Sequence, residues 1–183
     1  MSTKFNVPTR SEVSDNNKAT FDEIEKGVGF VPNIFASLAH SETALNDYLA
    51  LSNRKSSLDN KEKEVINLVV SQINGCRYCQ SAHTAIAKNN GFNDDQILSI
   101  RGGEAPSNET HDALAKFVKS ITDNRGKADA SALEGFYAAG YNHASLVDVI
   151  LAIADKTVTN FLARTGEVEI DFPVAPELEG ATA

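Results

Sequence analysis

The chain has 183 residues, 42% of them apolar, with 25 acidic against 17 basic side chains and a formal net charge of −8. That length suits one domain with a sizeable core. With the 11 glycines added, the apolar content meets the roughly 45–50% of globular chains, so wholesale disorder is excluded. No apolar run approaches the roughly 20 residues of a membrane span, and an acidic chain without a basic stripe has no electrostatic grip on nucleic acid or anionic lipid. Met1 to Asp15 holds no apolar stretch of the roughly 7–15 residues of a secretory signal, so a cytoplasmic protein is expected.

In chain order, the punctuation predicts helices joined by short loops, an all-α fold. Thr20 followed by Glu23 reads as a capping box that opens a short helix, which Gly27 and Gly29 end. Pro32 fits a first helical position ahead of the stripe Ile34, Phe35, Leu38 and Ala39, and Ser41 caps the next helix. Asp59 with Glu62 makes another capping box, opening a helix through Val65 to Ile73 that stops at Gly75. Cys76, Cys79, Ala82, His83, Ile86 and Ala87 recur at three and four, giving a helix that runs to about Asn90. Further helices are predicted at about 109–122, 131–139 and 144–162.

One junction repeats. Asn90-Gly91-Phe92-Asn93 returns as Ala139-Gly140-Tyr141-Asn142: glycine for the left-handed stop, an aromatic to pack back, asparagine to cap the next helix. Period-two alternation is confined to Val168, Ile170 and Phe172. A lone extended segment makes no sheet, so it is expected as an arm across its own domain or a neighbouring subunit. The chain divides into a flexible N-terminal tail over 1–18, a single helical domain over 19–167, and an extended arm and tail over 168–183.

The chemistry centres on the only two cysteines. Cys76, Cys79 and His83 fall at i, i+3 and i+7 on one helical face. Glu64 stands about 11 residues before the Gly75 break and His83 only 8 after it. If the two helices fold back as a hairpin, rises of about 1.5 Å per residue put the two at comparable heights, within reach of each other. A carboxylate that orients an imidazole, an imidazole that takes a proton from sulfur, and a second sulfur that closes a disulfide make a proton relay ending at a thiol. A zinc site is disfavoured, because four-coordinate zinc would have to use all of Cys76, Cys79, His83 and Glu64. Haem attachment would need histidine where Gln80 stands. Neither metal nor cofactor is expected.

Glu64, Cys76, Cys79 and His83 reproduce the E-x11-C-x2-C-x3-H pattern, and the sequence here resembles the AhpD-like alkylhydroperoxidases of the carboxymuconolactone decarboxylase superfamily. The likeness extends to Gly29-Phe30-Val31-Pro32-Asn33-Ile34 and to Gly91-Phe92, over about residues 20–165. It implies an AhpD-like helical fold built from antiparallel helix hairpins, a homo-oligomer (dimer, trimer or hexamer), and a thiol peroxidase with a redox-active Cys76–Cys79 disulfide. Its partners would be a hydroperoxide substrate and a dithiol or lipoyl reductant. The best-characterised members carry a second histidine just before the second cysteine, where this chain has Tyr78. A phenol with a reference pKa near 10 is no base at neutral pH, but it can hydrogen-bond a relay group or a peroxide oxygen.

Two effects compete for the attacking sulfur. The helix N-terminus favours an anion at Cys76 by about 0.3–1 kcal/mol. His83, one turn beyond Cys79 and two beyond Cys76, can pair directly with Cys79 alone, and thiolate–imidazolium pairing lowers a cysteine pKa by several units. Cys79 is therefore read as the peroxidatic nucleophile and Cys76 as the resolving thiol. The alternatives are a carboxymuconolactone decarboxylase-like lyase, in which the cysteines are incidental, and a non-catalytic redox sensor or interaction module.

Overall fold

A computed structural model describes residues 5–178, and among these every regular element is helical. A short 3-10 turn at Arg10–Glu12 precedes α1 (Asp15–Val28), α2 (Asn33–Leu38), α3 (Ala44–Ser52), α4 (Asn60–Ile73), α5 (Arg77–Asn89), α6 (Asp94–Gly102), α7 (Glu109–Asp123), α8 (Ala130–Ala138) and α9 (His143–Thr165). The all-α expectation holds.

α4 is the hub, packed against α5, α6, α7 and α9. It can serve there because Val65, Ile66, Leu68, Val69 and Val70, all fully buried, spread over about half of its circumference, and Glu64 and Ser71 are buried on the rest; a helix buried on nearly every side is stable only when surrounded. The predicted capping box starts it: Asp59 Oδ1 accepts from Glu62 N at 2.8 Å, and Asp59 N donates to Glu62 Oε2 at 2.7 Å. At its other end Gly75 (φ 63°) turns the chain straight into α5, so α4 and α5 form the hairpin the spacing called for.

The repeated junction is built as read. Gly91 and Gly140 hold φ of 88° and 98°, Asn93 and Asn142 cap α6 and α9, and Phe92 and Tyr141 pack back. Tyr141 stacks on Phe136 at 4.4 Å, which stacks on Phe117 at 4.4 Å. Phe136 is fully buried between them, so Phe136→Ala is expected to cost about 3–5 kcal/mol, read as a lowered urea midpoint. A loss below about 1 kcal/mol would mean that the stack is not part of the core.

Three expectations are corrected. α1 begins at Asp15, not at Thr20, because Ser14 accepts from Asn17 N and caps it first. Thr20 lies inside the helix, where its hydroxyl reaches Asn46 Oδ1 on α3 at 2.8 Å. For the same reason residues 5–18 are not a free tail: Asn17 is fully buried, its Nδ2 donating to Ala39 O and Ser41 O. Helix α3 is also entered through Thr43 rather than Ser41, although Ser41 Oγ still accepts from Ala44 N.

The extended segment after α9 lies across its own domain. Val168 is buried, Phe172 meets Phe30 and Tyr78 edge-on, and Asp171 accepts from Asn33 N. Ala175 N donates to Ser81 Oγ, while Arg77 and Arg101 donate to the carbonyls of Ala175 and Pro176. The expected tail is therefore anchored to the domain as far as Pro176. What was expected of residues 1–4 and 179–183 lies outside the described residues.

Candidate functional site

Glu64 and His83 meet at the α4–α5 hairpin, with His83 Nδ1 and Glu64 Oε2 2.8 Å apart. Both side chains are nearly buried. The second carboxylate oxygen accepts from Asn67 Nδ2 at 3.0 Å. Burial pushes the Glu64 carboxyl up, but His83, Asn67 and the Lys156 charge outweigh it and hold the group below the usual carboxylate range. An ionised carboxylate only accepts, so Nδ1 carries the proton and donates to Glu64. In neutral His83 this leaves Nε2 as a free acceptor.

Cys76 is the N-cap of α5, and its Sγ accepts from Cys79 N at 3.3 Å. Both cysteines are free thiols and almost fully buried. Their surroundings push them apart. The Cys76 S–H donates to Cys79, and that bond, with burial, raises Cys76 well above the ordinary thiol value. The same hydrogen bond leads in bringing Cys79 down to about 6; burial opposes it, and the charges of Lys156 and His83 and the side chain of Asn160 assist. The sequence argument gave the imidazole the leading part. The structure gives it to the Cys76 hydrogen bond, with the charge of Lys156 ahead of that of His83.

Tyr78 sits beside the pair but points elsewhere. Its hydroxyl accepts from Ile34 N at 3.2 Å, and burial, followed by the neighbouring Asp171, raises its pKa. The phenol thus ties α5 to the start of α2 and to Phe172 on the arm, rather than to a relay group.

These residues open onto a cavity of about 680 Å³. Cys79, Glu64, His83 and Lys156 are among its polar lining, and Phe30, Ile34, Phe35 and Phe172 among its apolar lining. Cys79 lines this cavity and Cys76 does not. A smaller cleft of about 340 Å³, between Gly91 and His111, holds neither cysteine. Among the described residues, no group of three or more His, Cys, Asp and Glu is placed to hold a metal ion. No helix among them is long and apolar enough to cross a membrane.

Sequence reasoning placed α9 but missed the polar residues of its inner face. Lys156, Thr159 and Asn160 fall at i, i+3 and i+4 on its inner face and are all buried. Asn160 accepts from Asn74 Nδ2 at 2.9 Å and donates to Ser71 Oγ at 3.3 Å, fixing α9 to the end of α4. Three polar residues at helical spacing, on the same face as the buried Val149 and Ala152, were the available signal.

The chain is an all-helical domain with a C-x-x-C at the head of one helix and a Glu–His pair across the hairpin, and comparison with known proteins returns similar all-helical folds. Residues 40–117, which contain Glu64, Cys76, Cys79 and His83, match the carboxymuconolactone decarboxylase family. A peroxidase-related protein from Ralstonia eutropha JMP134, described as an alkylhydroperoxidase AhpD core, superposes with a TM-score of 0.81 at 21% identity, covering 92% of each chain. One from Silicibacter sp. TM1040 gives 0.79 at 22%, covering 92% of this chain and 94% of that one. The debrominase Bmp8 gives 0.76 at 19%, covering 93% and 94%. The curated proteins give no match. The chain thus has the fold of these AhpD-like proteins, and residues 40–117 carry its likeness to the carboxymuconolactone decarboxylase family.

Proposed function

We propose that this protein is a thiol-dependent peroxidase that reduces hydroperoxides through Cys79 and Cys76. The observation that carries the reading is that Cys79, held down to about 6, is the sulfur on the cavity wall, with Cys76 behind it and Glu64–His83 beside it. The Cys79 thiolate attacks the outer oxygen of the hydroperoxide, the O–O bond breaks, and the departing alkoxide takes a proton from the His83 side to leave as alcohol. The Cys76 thiol then attacks the Cys79 sulfenic acid, forming the disulfide and releasing water. An external dithiol or lipoyl donor returns two electrons and two protons. Such a donor belongs to a reducing compartment, which keeps the cytoplasm as the proposed location.

A steady-state assay with an alkyl hydroperoxide and a dithiol or lipoyl donor tests this. Continuous consumption of both is expected. Oxidation that stops after one equivalent would point instead to a redox sensor, and an activity surviving loss of both cysteines to a lyase.

A second reading comes from the debrominase Bmp8, which has been crystallised with 2,3,4-tribromopyrrole as its C82A variant. The aromatic wall of Phe30, Phe35, Tyr48, Tyr78 and Phe172 suits a flat halogenated ring. The dithiol would supply both electrons, giving disulfide, dehalogenated arene and hydrogen halide. Halide release from a bromopyrrole in the same assay decides it.

We infer also that the chain pairs with a second copy through α9, whose Val147, Ile150, Val158 and Phe161 form an exposed apolar stripe on one face. Such a stripe can be covered by its own symmetry mate. Light scattering at micromolar concentration should give at least a dimer, and Phe161→Asp should shift it toward 19.7 kDa. A wild-type monomer would contradict the inference.

A further inference from the structure

Lys156 is 5% exposed, in the middle of α9. Its Nζ makes one hydrogen bond, a long one of 3.4 Å to Thr159 Oγ1 of its own helix. Among the described residues no carboxylate pairs with it within 4 Å. An ammonium stripped of water and left without an anion is one of the costliest arrangements in a protein interior, so a partner must be sought among the groups it faces.

Those groups are Tyr48 from α3, Glu64 from α4, Cys79 and His83 from α5, and Asp155 beside it on α9. Tyr48 keeps its proton, its pKa being pushed up to about 12 chiefly by burial. Glu64 has committed one oxygen to His83 and the other to Asn67. Asp155, the neighbouring residue on α9, lines the same cavity but forms no ion pair with Lys156 within 4 Å. Of the two acidic groups left, Asp155 and the Cys79 sulfur, the sulfur is the one on the cavity wall whose charge changes with the redox state. Burial lowers the ammonium's pKa, and the facing groups more than reverse it.

We propose that Lys156 is a positioning cation, the counter-ion of the Cys79 thiolate in the reduced protein, and that it loses this partner whenever Cys79 is joined to Cys76 in a disulfide. The inference rests on the dithiol–disulfide cycle proposed above and deepens it. Reduction at neutral pH takes the disulfide, two electrons and one proton to a Cys76 thiol and a Cys79 thiolate, the electrons coming from the external dithiol. Lys156 stabilises only the product of that step. It therefore favours the reduced form, makes the disulfide a stronger oxidant, and readies the pair for the next peroxide.

The test compares wild type with Lys156→Met, Lys156→Gln and Lys156→Arg, the first two neutral and the last still charged. Alkylation of Cys79 against pH, followed by peptide mass spectrometry, should show a wild-type midpoint near 6 that moves above about 7 in the neutral variants, with at least about fivefold slower alkylation at pH 6. In a dithiol–disulfide redox buffer at neutral pH, the neutral variants should lie about tenfold further toward the disulfide, which is about 30 mV more negative. Lys156→Arg should keep most of both properties. Either neutral variant, folded with wild-type helicity and showing an unchanged midpoint and potential, overturns the proposal; so does an arginine variant that behaves like methionine. Neither readout uses peroxide. A chain that consumes no hydroperoxide but shows the Lys156-dependent shifts refutes the function and keeps the counter-ion, and a working peroxidase without those shifts does the reverse.

Discussion

Cys79→Ser is expected to lower hydroperoxide reduction by at least about 10³-fold, and Cys76→Ser to stop after one turnover with a sulfenic acid on Cys79. The asymmetry follows from position. Cys79 lines the cavity and carries the lowered pKa, while Cys76 lies behind it, as the N-cap of α5, with its proton held. A serine at 76 can still donate a hydroxyl hydrogen toward the Cys79 sulfur, so the thiolate survives while the resolving step is lost. Dimedone labelling after one equivalent of hydroperoxide should mark Cys79 in Cys76→Ser. Label on Cys76 in Cys79→Ser, with Cys79 unlabelled in the reciprocal variant, would reverse the two roles.

Glu64→Gln should cut kcat/KM by about 10²- to 10⁴-fold, the usual worth of positioned acid–base help, with little change of fold. The amide keeps the shape of the carboxylate and can still accept from His83 Nδ1. It then presents an NH₂ to Asn67 Nδ2, donor against donor, and it removes the negative charge beside the imidazole. The pH profile separates the groups. Glu64 is held below the usual carboxylate range, so it stays ionised while Cys79 titrates. The rate should rise with pH through about 6 as the Cys79 thiolate forms, and then level off. The sign for stability is parallel: a carboxylate with a depressed folded pKa stabilises above its unfolded value, and that contribution goes as pH falls through the folded one. Unchanged profiles and rates in both Glu64→Gln and His83→Ala would remove the relay from the account.

Local signals carried the parts of this structure that are local. The Asp59–Glu62 box spans four residues and Gly75 is a single left-handed position, and between them they set the register that brings Glu64 to His83 across 19 residues. Thr20 shows the limit of such signals, since Ser14 offered an equally good cap one helical turn and a half earlier. Only the buried bonds of Asn17 to the end of α2 and to Ser41 decide between the two. Lys156 and Asn160 were out of reach for a different reason. Nothing within α9 says that its inner face will meet Cys79, which is 77 positions away from Lys156 in the chain. The arm at 168–176 was legible as extended from its alternation, but its anchors to Arg77 and Arg101 are backbone carbonyls, and those carry no mark in a sequence.

The central claim is that a hydroperoxide oxidises Cys79 and Cys76 as one pair. Intact-mass and peptide analysis of the reduced wild-type protein, taken after one equivalent of an alkyl hydroperoxide and without any donor, tests it most directly. The account predicts a chain lighter by two hydrogens, with the peptides of Cys76 and Cys79 joined by a disulfide and one equivalent of alcohol released. A chain of unchanged mass with both thiols still free, while the peroxide remains in solution, would contradict it.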